Sequence, residues 1–157
     1  MRRTTLATLL IALAAAAGCG SSDDDSTPVS CQTGAKPYLD ALAAAPGQVR
    51  LNGGETISAC LVENQSAADI EQVGGVLLQV TTDLNEAARQ DPGGRETVEL
   101  GYLIGAVQKG SEETGGIHAE LARRLEAAAL FSPAGKPPPP PFDQRYQRGL
   151  AAGSERG

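Results

Sequence analysis

The side chains with which this chain could do covalent or metal chemistry are few: Cys19, Cys31 and Cys60, the single histidine His118, and 19 acidic residues. A cysteine held against a histidine gives an activated thiolate nucleophile, yet no local motif joins His118 to any of the cysteines. A zinc site built on one histidine needs carboxylates to complete its shell. Glu112, Glu113 and Glu120 are near in sequence, but none stands four residues from His118, and no paired cysteines follow His118-Ala119-Glu120 as a zinc deaminase requires. Asp23-Asp24-Asp25 lacks the alternating ligands and distal glutamate of a calcium loop, and reads as a solvated spacer. There is no nucleophile elbow, no glycine-rich phosphate cradle after a strand and no dinucleotide fingerprint. The reading is therefore a non-enzyme with no catalytic residue, no metal and no cofactor, and His118 is expected at a helix end or groove edge.

The elements that could position these residues are helical. Ile70, Val73, Leu77, Val80, Leu84 and Ala87 step by three and four, and Leu100, Leu103, Val107, Ile117, Leu121 and Leu125 continue the pattern. The expected fold is all-α: a small bundle of three main helices over about 66–90, 95–109 and 117–131. Ser66 has the form of an N-cap and Asp91-Pro92-Gly93-Gly94 that of a stop, so the first of these would be about 37 Å long. The second is apolar on two sides, with Leu100, Leu103, Ile104 and Val107 opposite Val98, Gly101, Tyr102 and Gly105, which places it between two partners. The leucine face is assigned to the long helix, the Gly101/Gly105 face to the N-terminal segment, and Arg95 and Glu99 to a narrow polar strip. Gly110 to Gly116 is read as a break before the third helix, on which Glu120 and Arg124 form an i,i+4 pair, with one long bent helix as the alternative because Val107, Gly110, Thr114, Ile117 and Leu121 keep the three-four step. Short helical pieces are expected near Pro37–Ala45 and Glu55–Glu63, with an Asn52-Gly53-Gly54 turn between them. Pro137 to Pro141 reads as a polyproline II arm of about 3.1 Å per residue, and Phe142, Tyr146 and Leu150 as a short docking segment with a frayed tail.

The N-terminus has the parts of an export signal: Arg2 and Arg3, an apolar run from Leu6 to Ala17, and a small-residue cleavage region ending Ala16-Ala17-Gly18-Cys19. Over these first residues the chain resembles the signal peptides of bacterial lipoproteins, whose lipobox places a cysteine directly after the cut. The resemblance implies a diacylglycerol thioether on Cys19, cleavage before it and further acylation of the new amine, with the acyl chains as the attachment to the membrane. With that leader at 1–18, composition and periodicity divide the rest into an acylated polar tether (19–30), a helical domain (31–131) and the proline-rich arm with its docking segment (132–157). With Cys19 lipidated, Cys31 and Cys60 remain, and in an oxidising compartment they read as one disulfide worth roughly 3 kcal/mol on the chain-entropy account.

The net charge is −6, and loss of Arg2 and Arg3 with the leader takes it to −8. Such a surface repels nucleic acid and anionic headgroups, so no nucleic-acid partner is expected. The location expected is the extracytoplasmic face of a bacterial membrane, and the function a non-catalytic binding module of the cell envelope with a protein or envelope-polymer partner. Tyr102, His118 and Tyr146 are the candidate partner surface. The alternatives are an inhibitor or immunity-type protein, which is also a binder, and a cryptic enzyme using carboxylates such as Asp83, Glu86 or Glu113. A binder requires an apolar or tyrosine-bearing patch; the enzyme requires two carboxyls of perturbed acidity facing one pocket.

Overall fold

The computed structural model describes residues 26–132 and 136–157, and the leader, Cys19 and the three aspartates lie outside them. The fold is all-helical, a small bundle with α1 over Ala35–Leu42, α2 over Ala67–Gln90, α3 over Arg95–Thr114, α4 over Gly116–Ala128 and α5 over Pro140–Arg156. Single 3-10 turns occur at Val29–Gln32 and Ser58–Cys60. No helix among the described residues is long and apolar enough to cross a membrane. The ordered body starts earlier than Cys31, because Thr27 is 6% exposed and is held by Gln65.

Local chemistry sets the ends of α2. The Ser66 hydroxyl accepts the Asp69 N–H at 3.2 Å, the N-cap bond that removes one of the free amides of a first turn. The Asp69 carboxylate is then available to accept from Gln32 Nε2 at 3.1 Å, which pins the N-terminal turn to α2. At the other end the Asp91 side chain accepts the Gly93 N–H at 3.2 Å, and the chain turns into α3. The Cys31–Cys60 disulfide, with Cα atoms 5.5 Å apart, staples the two 3-10 turns together. Tyr38 on α1 packs beside it, fully buried, its hydroxyl donating to the Cys31 carbonyl at 2.9 Å.

Helix α3 is central, in contact with α1, α2, α4, α5 and the Ser58–Cys60 turn. Leu100, Leu103, Ile104 and Val107 lie in one core with Leu77, Val80, Leu84 and Leu125, each such side chain worth about 1.5–3 kcal/mol when taken from water. The helix runs past Lys109 to Thr114, and the break falls at Gly115 and Gly116, whose φ values of +68° and +54° are left-handed. Gly110 stays helical because the Ser58 backbone rests on it: a Cβ there would lie 2.7 Å from the Ser58 carbonyl oxygen.

The glycine face of α3 is covered by α5, not by the N-terminal segment, which reaches α3 mainly through Ser58 at Gly110. The proline run accounts for this. Pro139 keeps polyproline-like angles (φ −64°, ψ 147°), but Pro140 and Pro141 are the first residues of α5, where a missing N–H costs nothing and φ is already helical. The helix then continues through Gly149, Ala152 and Gly153, all buried, so the segment after Leu150 is packed rather than frayed. Built on Gly101 and Gly105, a Cβ would fall 2.1 and 2.2 Å from backbone oxygens of Tyr146 and Leu150; on Gly149 and Gly153, 2.0 and 2.1 Å from those of Val98 and Tyr102. The two helices run parallel with main chains in direct contact, Gly149 facing Val98 and Gly153 facing Tyr102. At the end of the pair Lys109 Nζ donates to the Gly157 carbonyl at 3.1 Å.

Helix α4 lies parallel to α2, with Leu121 against Gly74. Asn85 Nδ2 donates to the Ala128 and Leu130 carbonyls at 2.6 and 3.0 Å, and Arg89 to those of Leu130 and Phe131, so α2 caps the C-terminus of α4. Gly75, unlike the α3 and α5 glycines, touches nothing: a Cβ there would meet no atom within 4 Å.

Gly101→Ala and Gly149→Ala are each expected to destabilise by about 3 kcal/mol or more, because a methyl group must push two backbones apart. Gly75→Ala is expected to stabilise by about 1 kcal/mol through helix propensity alone. Thermal and denaturant unfolding of the three variants checks both signs; unchanged stability in the first two removes the close approach.

Candidate functional site

His118 belongs to a buried clasp. It sits in the first turn of α4, 2% exposed, with Nε2 2.9 Å from Gln65 Oε1 and Nδ1 2.8 Å from the Thr114 hydroxyl. Gln65 Nε2 donates to the Thr27 hydroxyl at 2.7 Å and to the Cys60 carbonyl at 3.1 Å, which fixes its own oxygen toward the imidazole. That oxygen only accepts, so Nε2 carries the hydrogen, and Nδ1 of the neutral ring competes with the Gly110 carbonyl for the single Thr114 hydroxyl hydrogen. The Thr114 hydroxyl also lies 2.7 Å from the Gly110 carbonyl. Protonating Nδ1 would turn that hydroxyl wholly to Gly110. Burial opposes the charge and lowers the pKa of His118. The clasp ties the N-terminal segment, the disulfide turn, α3 and α4 at one point, which explains His118 without catalysis or a surface role.

Of the three residues assigned to a partner surface, only Tyr146 lines a cavity, and Tyr102 and His118 are buried. Tyr102 is fully buried under α5, its hydroxyl 3.5 Å from the Val49 N–H, and His118 is enclosed in the clasp. Tyr146 lines a cavity of about 400 Å³ between the end of α4, the proline arm and the start of α5. Both phenylalanines converge there: Phe142 stacks on Tyr146 with centroids 5.6 Å apart and meets Phe131 at 4.7 Å. Phe142, 5% exposed, is the layer between two half-buried rings. Three of the chain's five aromatic residues therefore meet at one cavity. Its polar lining includes Glu126 on α4 and Asp143 in the first turn of α5, with Lys136 on the arm. Gln108 Nε2 donates to Glu126 Oε1 at 2.7 Å and so orients that carboxylate from α3. Burial, reinforced by Glu126, pushes the Tyr146 phenol up to about 12, so it stays protonated at every ordinary pH.

A second hollow, of about 370 Å³, runs between α2 and α4 over Gly74 and Gly75, walled by Ile70, Leu78, Ile117 and Leu121. Glu120 on its rim pairs with Arg123 at 2.6 Å rather than with Arg124. Arg124 also lines the hollow, and no carboxylate among the described residues pairs with it.

The carboxylates singled out for an enzymatic role, Asp83, Glu86 and Glu113, are exposed and line neither cavity. The carboxyls whose acidity is shifted are elsewhere. Ser30 donates to Glu55 at 2.7 Å and lowers its pKa, and the backbone N–H of Glu96 lowers that of Glu96. Glu99, placed by its sequence in a polar strip, is 3% exposed. Burial raises its pKa against the pull of Arg95 at 3.5 Å, since α5 and the core leave α3 almost no wet face. Among the described residues no group of histidine, cysteine, aspartate or glutamate is arranged to hold a metal ion.

No family model, curated protein or solved structure matches this chain. Its cavities are therefore read from their own chemistry.

Two shifts give opposite pH effects. The native His118 has a pKa below its ordinary 6.5, so the unfolded chain binds the extra proton; this contribution is complete above 6.5 and is lost as pH falls toward the native value. Unfolding free energy should decline from pH 7.5 to 5.5, and His118→Gln should flatten that decline. Glu99 has a native pKa above 4.5, so its charge penalises the fold as pH rises past that point. Glu99→Gln should stabilise at pH 7, with the gain vanishing near pH 4, as read by urea unfolding at each pH.

Proposed function

We propose that the chain is a lipid-anchored protein of the extracytoplasmic face of a bacterial membrane, attached through Cys19, and that its helical body is a binding module. The lipobox-like run before Cys19 supports the anchor. The Cys31–Cys60 bridge agrees with an oxidising compartment. The observation that carries the binding role is the aromatic cavity at Tyr146, whose volume falls in the range of small-ligand sites. A chain with only 3% aromatic residues places most of them at one opening, where they cover less core than they could.

Two measurements test the two halves. Intact mass of the protein from its own host should show a chain starting at Cys19 with diacylglycerol and a further acyl group; a retained leader or a bare Cys19 thiol refutes the anchor. The chain has no tryptophan, and Tyr38 and Tyr102 are fully buried, so ligand-induced change in tyrosine emission reports Tyr146. An envelope fraction that alters the emission of the native protein but not of Tyr146→Phe is expected. If no fraction of wall, lipid or soluble envelope material does so, the binding reading falls.

A further inference from the structure

Resting on the reading of the Tyr146 cavity as a binding site, we infer that its ligand is an organic ammonium cation, a quaternary or apolar-substituted amine. Aromatic rings attract such a cation through the negative charge of their faces, and the attraction strengthens as water is excluded. Phe131 and Tyr146 supply the ring surface that Phe142 leaves uncovered. An apolar or anionic ligand would find the same rings but a hostile polar lining, because Glu126 and Asp143 put two carboxylates against the single cation Lys136. Glu126 is set for the purpose by Gln108, which occupies one carboxylate oxygen at 2.7 Å and leaves the other without a partner among the described residues. The Tyr146 hydroxyl likewise makes no hydrogen bond among them, although the ring around it is half-buried. Protonated at ordinary pH, it offers a lone pair to a cation and no charge of its own. Lys136, exposed on the proline arm, lines the same cavity and its charge opposes the entry of a second cation.

The cation is separated from its shape by comparing choline with 3,3-dimethylbutan-1-ol, which replaces the charged nitrogen by carbon. Titrations of the full chain followed by tyrosine emission should saturate with choline and need about fivefold or more of the neutral isostere. Glu126→Gln should weaken choline and leave the isostere unchanged; Lys136→Met should tighten choline. Glu126 is half-buried and Lys136 exposed, so Glu126→Gln and Lys136→Met proteins of native melting temperature keep both the fold and the Tyr146 reporter. Phosphatidylcholine vesicles, against phosphatidylglycerol vesicles, tell a lipid headgroup from a free amine: a response to both free choline and the former assigns the headgroup, a response to free choline alone assigns a soluble amine. Equal binding of choline and its isostere by the native protein overturns the cation and leaves the binding module standing. No saturable response to choline overturns the cation, whatever the envelope fractions show.

Discussion

Direct contact between the main chains of α3 and α5 is the constraint from which the rest of this bundle follows. Gly101, Gly105, Gly149 and Gly153 each place bare backbone against backbone of the other helix, leaving no room for even one methyl group. Each costs its helix about 1 kcal/mol relative to alanine. The return is close dispersion contact along the whole seam, with the weak Cα–H···O bonds that such proximity permits. A chain this poor in aromatic residues cannot fill a wide gap between helices, so it brings them together. With its second face sealed in this way, α3 becomes an axis on which α2, α4 and the disulfide turn are assembled, and Glu99 is drawn into the interior with it.

The parts of the fold that were legible in the sequence are those written by neighbours in the chain. Ser66 and Asp91-Pro92 mark α2 within a residue because capping and proline chemistry act over three or four positions. The two apolar faces of α3 announced its central place. Its partner was not announced, because the proline run invited a reading as spacer while Pro140 and Pro141 in fact open a helix. A signal was present: Gly149 and Gly153 repeat the spacing of Gly101 and Gly105, and matched glycine pairs are what close helix approach demands. Gly110 misled in the other direction, since local propensity argues for a break and only the Ser58 backbone lying on it explains an intact helix.

The candidate site was half legible. Tyr146 stood four residues from Phe142 on one face, which pointed to a docking surface, but the convergence of Phe131 from the end of α4 depends on the α5 crossing and on nothing local. The burial of Tyr102 and His118, both candidate surface residues by sequence, is a property of α5 and of Gln65, which are distant in the chain. The histidine clasp in turn shows how a lone titratable residue can be explained by satisfaction of hydrogen bonds. The aromatic cavity differs, because there one Glu126 carboxylate oxygen and the Tyr146 hydroxyl make no hydrogen bond among the described residues.

The α3–α5 seam also bears on how the molecule comes into being. Val98 waits for Gly149, and Tyr102 for Gly153, about fifty positions further along, so a nascent chain lacking its last helix has the most buried helix of the bundle uncovered on one side. Closure over such separations is slow compared with forming any single helix. Until synthesis reaches that point this face of α3 has no cover and is vulnerable to proteases and to sticking. A holding chaperone would find its binding surface on the unmatched glycine side of α3.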